Sequence, residues 1–200
     1  IVVGLLRIWI GFDEGFSMVG LLRGLILSLA LPGLLQASDW PQWRGPERNA
    51  QSDEVLASKD WTADPPKHLW TVEGFGEGYA SVAVVGGVLY TLGDVDGGQS
   101  VIAASAEDGK ILWKQLLTET RPEHKYEGSR CTPSVDGDRL YVVSSDGAIS
   151  CLKSTTGEII WQRKFSEWNG RMMSVWGFSE SPLVDGDRVL CTPGGDDAMV

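Results

Sequence analysis

Three ten-residue stretches of this chain align without a gap. Residues 81–90, 132–141 and 181–190 begin 51 and 49 positions apart, and a second pair, residues 101–113 and 149–161, is offset by 48. A repeat near fifty residues is the strongest constraint on the fold, because such a unit must bury its apolar face against copies of itself, in a stacked or radial array. Within each unit, β-prone runs are separated by Gly86-Gly87, Asp136-Gly137 and Asp185-Gly186, and later by Asp108-Gly109 and Thr156-Gly157. Glycine there accepts the positive φ of a tight hairpin turn, so each unit reads as four short antiparallel strands. No helical periodicity of useful length follows residue 38. The expected class is therefore all-β: a β-propeller of four-stranded blades, with two full units and the start of a third. A β-helix would need shorter coils and helical repeats a different period.

Trp113 and Trp161 close the two complete units. A flat indole at the end of a fourth strand can cover the seam to the next sheet, and burial of aromatic surface dominates such interfaces. Ala103 and Cys151, ten residues before each Trp, would leave room for the neighbouring blade. Trp70 ends a similar strand with no blade before it. An isolated fourth strand of this kind can close a ring by completing the sheet of the last blade.

Composition removes several function classes. Seventeen basic and 27 acidic residues give a net charge of −10, a surface that repels polyanions and makes nucleic acid a poor partner. Hydrophobic content of 42% with nine Trp supports a packed core, and 25 Gly with nine Pro indicate many turns. Cys131, Cys151 and Cys191 form no CxxC pair, so neither a zinc site nor a disulfide framework is expected, and each reads as a buried free thiol.

The first 37 residues stand apart. The chain opens with Ile1 and stops as an apolar run restarts, so it reads as a piece of a longer protein. Residues 18–37, from Met18 to the small Ala37, have the basic, apolar and cleavage-site order of a secretory signal peptide. Cleavage after Ala37 is expected, an uncleaved anchor being the alternative, and residues 1–17 read as an over-extended gene start. Residues 38–66 then form a lead-in segment and residues 67–200 the N-terminal part of the propeller. The protein is expected in the periplasm or secreted, with no membrane span after cleavage and no cysteine near the cleavage site to carry a lipid.

The repeat resembles that of the pyrroloquinoline-quinone-type, or quinoprotein-like, β-propeller family. Residues 103–113 and 151–161 resemble its Trp-docking pattern AxDxxTGxxxW, and residues 135–141 and 184–190 its VDGDxLY pattern. The opening Asp39-Trp40-Pro41-Gln42-Trp43-Arg44-Gly45-Pro46 resembles that of exported members common in planctomycete-type bacteria. Ser105 and Lys153 depart from the docking pattern, where the family has Asp. The resemblance implies a ring of about seven or eight blades. It implies no single function, since such repeats serve enzymes and scaffolds alike.

Enzyme motifs are scarce. There is no nucleophile elbow, Walker loop or HExxH, and the only histidines, His68 and His124, lie 56 residues apart. Asp94-Val95-Asp96-Gly97-Gly98 begins like a calcium loop but lacks the later ligands, and reads as a hairpin turn. The residues just before each first strand are more informative, because the first strand of a blade is innermost. Glu77, Tyr79, Glu127, Arg130, Trp176 and Glu180 are thereby expected at the central channel as candidate ligand-binding residues; a structural role for Arg130, paired with a neighbouring carboxylate, is the alternative. Catalytic residues and metal ligands are not identified. The favoured function is an exported, non-catalytic scaffold that binds protein, peptide or glycan at the channel face and needs no cofactor. The alternative implied by the resemblance is a dehydrogenase of alcohols or sugars using pyrroloquinoline quinone and Ca2+ in the channel. The vicinal cysteine pair that such enzymes often carry is absent from this sequence.

Overall fold

The structure, a computed structural model, describes residues 38–56, 58–172 and 175–196. The expected signal peptide and over-extended start lie outside the described residues. The repeat unfolds into sheets as expected. Strands β1 (Ala83–Val85), β2 (Val88–Val95), β3 (Gly98–Ser105) and β4 (Ile111–Leu116) form one antiparallel meander. Strands β5 (Ser134–Asp136), β6 (Arg139–Val143), β7 (Ala148–Lys153) and β8 (Ile159–Lys164) form a second with the same order. A short 3-10 turn, Phe165–Trp168, leads on to the hairpin of β9 (Leu183–Asp185) and β10 (Arg188–Leu190).

The two sheets agree in detail. The β1–β2 hairpin turns through Gly86 and Gly87 at φ 57° and 77°, the left-handed geometry that matches the twist of the flanking strands. A register shift falls between Ala103 and Ala104 in the first sheet and between Cys151 and Leu152 in the second. Just before each shift, Ala103 faces Trp113 across the strands and Cys151 faces Trp161. The small residue ten positions before each Trp is thus its cross-strand partner, and both small residues are buried.

Between the sheets, Trp113 does what its position suggests. A Cβ on Gly157, in the β7–β8 turn of the second sheet, would lie 2.5 Å from Trp113 Cε3, so the indole rests directly on that backbone. Its Nε1–H and the Tyr90 hydroxyl both donate to the Ser154 carbonyl, at 3.2 and 3.3 Å. Trp70 repeats the contact one unit earlier, resting on Gly109, whose Cβ would lie 2.8 Å from Trp70 Cε3. Residues 65–76 form no sheet hydrogen bonds, so Trp70 docks from an extended segment outside any sheet. Trp161 packs on Tyr141 at 6.2 Å but stays 38% exposed. The core joins both sheets through Tyr90, Leu92, Val101, Leu140, Val142, Ile149, Leu152 and Phe165, with Val189 of the third hairpin packed against it.

The lead-in is part of this architecture. Trp40 pairs antiparallel with Val84 of β1 through two backbone hydrogen bonds of 2.7 and 2.9 Å. The Asp39 carboxylate accepts from the Gly86 amide at 2.9 Å, and the Pro41 carbonyl accepts from Val135 of β5 at 2.8 Å. Residues 39–41 therefore cross the free edges of the first strands of two successive sheets. No helix among the described residues is long and apolar enough to cross a membrane.

Candidate functional site

The segments before β1, β5 and β9 are drawn together by their backbones. The Tyr79 amide donates to the Ser129 carbonyl at 2.7 Å, and Gly78 and Gly128 stack so closely that a Cβ on Gly128 would lie 2.4 Å from Gly78 Cα. Only glycine permits that approach, and it brings Tyr79 and Arg130 side by side. The Thr132 amide in turn donates to Ser181 Oγ at 2.9 Å, tying the third segment to the second.

Tyr79, Arg130 and Trp176 meet in one stack. The Arg130 guanidinium lies 4.9 Å from the Tyr79 ring centroid and 5.5 Å from that of Trp176. Tyr126 stacks on Trp176 at 4.6 Å with an interplanar angle of 12°, and Lys125 Nζ stands 5.3 Å from the Tyr126 ring. The result is a five-layer ladder of aromatic and cationic groups on a solvent-facing surface, in the order Tyr79, Arg130, Trp176, Tyr126, Lys125, each contact favoured by the ring quadrupole. Arg130 is held in place by carbonyls: Nη1 donates to Gly128 and Trp176 at 3.1 and 2.6 Å, and Nη2 to Tyr126 at 2.5 Å. The carboxylate partner considered for Arg130 is not found among the described residues.

The remaining candidates fall into two groups. Glu77 and Glu127 are bridged by Arg121, whose Nη1 lies 3.3 and 3.2 Å from them. Its Nε is also 3.8 Å from Asp94, whose side chain is fully buried. Asp94 Oδ1 accepts from Gln99 at 2.8 Å, and Gln99 links onward to Ser145, so this ion-pair cluster stitches the two sheets. Glu180 sits elsewhere. Its Oε2 accepts from both the amide and the hydroxyl of Thr192, each at 2.6 Å, while Oε1 is buried without a hydrogen bond.

Tyr79, Arg130 and Glu180 line one cleft of about 530 Å³, and the lead-in supplies its further wall through Trp43 and Arg48. Arg48 donates to Gln42 at 3.0 Å and stands 5.8 Å from the Trp43 ring, with Arg44 at 5.3 Å from the same ring. Sequence reasoning missed Arg48, Trp43, Arg121, Tyr126 and Lys125. Tyr126 could have been suspected, since it precedes Glu127 directly. Arg48 could not, because nothing local shows that residues 40–48 fold back onto segments some forty and eighty positions later. The Trp set divides as described: Trp70 and Trp113 dock on glycine turns, and Trp161 stays exposed.

Two four-stranded meanders, a third begun beside them, and indoles packed on the turns of the following sheet define a radial-repeat protein of the β-propeller class. The chain belongs to the family of pyrroloquinoline-quinone-like repeats described as outer membrane protein assembly factor BamB, whose profile matches residues 49–123 and 119–200. It is 30% identical over 115 residues to the outer membrane protein assembly factor BamB of Shewanella oneidensis, covering 56% of this chain and 27% of that one. An uncharacterized protein of Rickettsia conorii is 32% identical over 95 residues, covering 48% of this chain and 20% of the other. The chain thus spans about a quarter of the length of these relatives. Among solved structures, a europium-containing methanol dehydrogenase superimposes with a TM-score of 0.58 at 16% identity, over 78% of this chain and 27% of that one, a likeness of fold. The BamB structure of Moraxella catarrhalis matches over 60% of this chain and 36% of its own, at 18% identity and a TM-score of 0.46.

Proposed function

We propose that this protein is an exported, non-catalytic β-propeller scaffold that holds a protein partner on the surface carrying Tyr79, Arg130, Trp176 and Tyr126. The observation that carries the reading is the ladder itself. Tyr79, Tyr126 and Trp176 are 65%, 49% and 44% exposed, yet they are ordered by stacking and by three carbonyl hydrogen bonds to one arginine. Tyr, Trp and Arg dominate the energetics of protein interfaces, and a surface already fixed in its binding geometry loses little entropy on association. The similarity to an assembly factor, a protein whose name describes acting on other proteins, supports the same reading.

The quinone-dependent dehydrogenase is the second reading, favoured only by the likeness of fold. The described residues do not fit its cofactors well. The carboxylates nearest to a cation set, Glu77, Asp94 and Glu127, already share the Arg121 guanidinium, and the first-strand edges that would border a channel ligand carry the lead-in.

The test uses the full-length protein in its own cell envelope, with a photo-crosslinking amino acid replacing Tyr79. Discrete protein adducts are expected, and Trp176→Ala should abolish them. Adducts indifferent to Trp176, or alcohol-dependent dye reduction after loading with pyrroloquinoline quinone and Ca2+, would overturn the scaffold reading.

A further inference from the structure

The arginines of this acidic chain are not equivalent. Arg121, Arg139, Arg163, Arg171 and Arg188 each lie 3.1 to 3.8 Å from a carboxylate. Among the described residues, Arg44, Arg48 and Arg130 have none. Those three belong to one place: Arg48 and Arg130 line the cleft, and Arg44 stands over Trp43, which lines it too. In a chain of net charge −10, a cleft lined by two guanidinium groups and a single carboxylate, Glu180, is a local reversal of sign.

We infer that this cleft binds a carboxylate side chain of an acidic peptide segment, gripped by Arg130 and Arg48. The hydrogen-bond inventory supports it. Of the five N–H donors of Arg130, two on Nη1 and one on Nη2 go to carbonyls. The Nε–H and the second Nη2–H have no acceptor among the described residues and remain for a ligand carboxylate, a group that guanidinium binds through charge-assisted bonds. Fixing the other three donors sets the orientation of the guanidinium before any ligand arrives. The Trp43 and Tyr79 rings on the cleft walls suit an apolar side chain beside the acidic one. A nucleic-acid or polyphosphate ligand is disfavoured by the acidic surroundings, which repel a polyanion but tolerate one or two carboxylates.

This inference rests on the scaffold reading and names the chemistry of the partner at the same surface. The probes are two peptides capped at both ends, Gly-Glu-Trp-Glu-Gly and Gly-Gln-Trp-Gln-Gly, titrated into the mature full-length protein by calorimetry at low and moderate salt. The Glu peptide should bind at least about tenfold more tightly than the Gln peptide, the margin of a charge-assisted bidentate pair, and should weaken as salt rises. Arg130→Gln and Arg48→Gln should each remove about tenfold, Arg130→Lys most of that, and Arg163→Gln nothing. Arg48→Gln guards against a folding defect in the Arg130 variants, because Arg48 lies on a surface loop of the lead-in. Equal binding of the two peptides, no binding of either, or full affinity in both Gln variants would overturn the inference. The two readings fail separately: Tyr79 crosslinks lost in Trp176→Ala beside charge-indifferent peptide binding would leave the scaffold standing without its acidic ligand. Quinone-dependent turnover would remove both.

Discussion

Cys131 shows how burial sets the chemistry of a single side chain. It is fully buried, and desolvation pushes its thiol up to about 12, with the nearby Glu180 charge acting in the same direction. Cys191, half-buried at the cleft, is pushed to about 11 for the same two reasons. The thiolate is the reactive form, so native Cys131 should resist alkylation at pH 8 while the unfolded chain reacts readily, and Cys191 should fall between. Mass spectrometry after a timed iodoacetamide pulse would check this order. A raised folded pKa means that the native state holds its proton more tightly than the unfolded one. The associated stability is complete below about 9, the unfolded value, and is lost as pH rises toward 12. Unfolding midpoints measured from pH 8 upward should decline, less so in Cys131→Ala. Arg121 makes a second case at this scale. Arg121→Ala would leave the buried Asp94 Oδ2 without the one cation it meets among the described residues, and should cost about 1–3 kcal/mol in urea unfolding of the full-length protein.

At the scale of elements, the turn between third and fourth strands is where one sheet receives the next. Gly157 combines a φ of 76° with a Cβ position 2.5 Å from the Trp113 ring, whereas Gly86 has a φ of 57° and open space around it. Gly86→Ala should therefore cost only the backbone term, about 1–2 kcal/mol. Gly157→Ala adds overpacking of about 1–3 kcal/mol, because the indole must move. Trp113→Ala should cost about 3–5 kcal/mol, and Trp176→Ala far less, since its ring lies outside the sheets. Denaturant titration of the four variants would rank them. The docking indoles were legible from sequence because they recur at the repeat spacing beside a glycine turn. The ladder was legible only in part: Tyr79, Arg130 and Trp176 were marked by their position before first strands, but Lys125 and Tyr126 lie in an irregular connection with no period to follow.

At the scale of the molecule, repeats of this kind are stable only between neighbours. The third unit contributes only the β9–β10 hairpin among the described residues, Trp161 and Leu190 are 38% and 36% exposed, and the Trp70 segment has no sheet to complete. Residues 38–200 produced alone should self-associate or melt without cooperativity, since open strand edges and bare blade faces seek partners. Size-exclusion chromatography and calorimetry would show it, and a monomer with a sharp transition would contradict the expectation. The lead-in should matter beyond its size. Removing residues 39–48 from the full-length protein strips the edge partner of β1, and with it the cleft wall made by Trp43 and Arg48, so peptide binding should fall together with stability.

The repeat, the four-strand unit, the docking tryptophans and the class of the fold follow from the sequence alone, because each is a periodic or local property: alternating apolar residues, a glycine where φ must be positive, an indole at a fixed offset from that glycine. The sequence also singled out the segments before each first strand as candidates for function. It could not show what those segments meet. The guanidinium between Tyr79 and Trp176, the pairing of Arg121 with Glu77, and the meeting of Trp43, Arg48 and Glu180 around one cleft all join residues about forty to a hundred and forty positions apart. Such contacts leave no period in the chain. They arise only when sheets pack side by side and the lead-in folds back across their inner edges, where hydrogen bonding of the backbone, rather than any local preference, decides which side chains face one another.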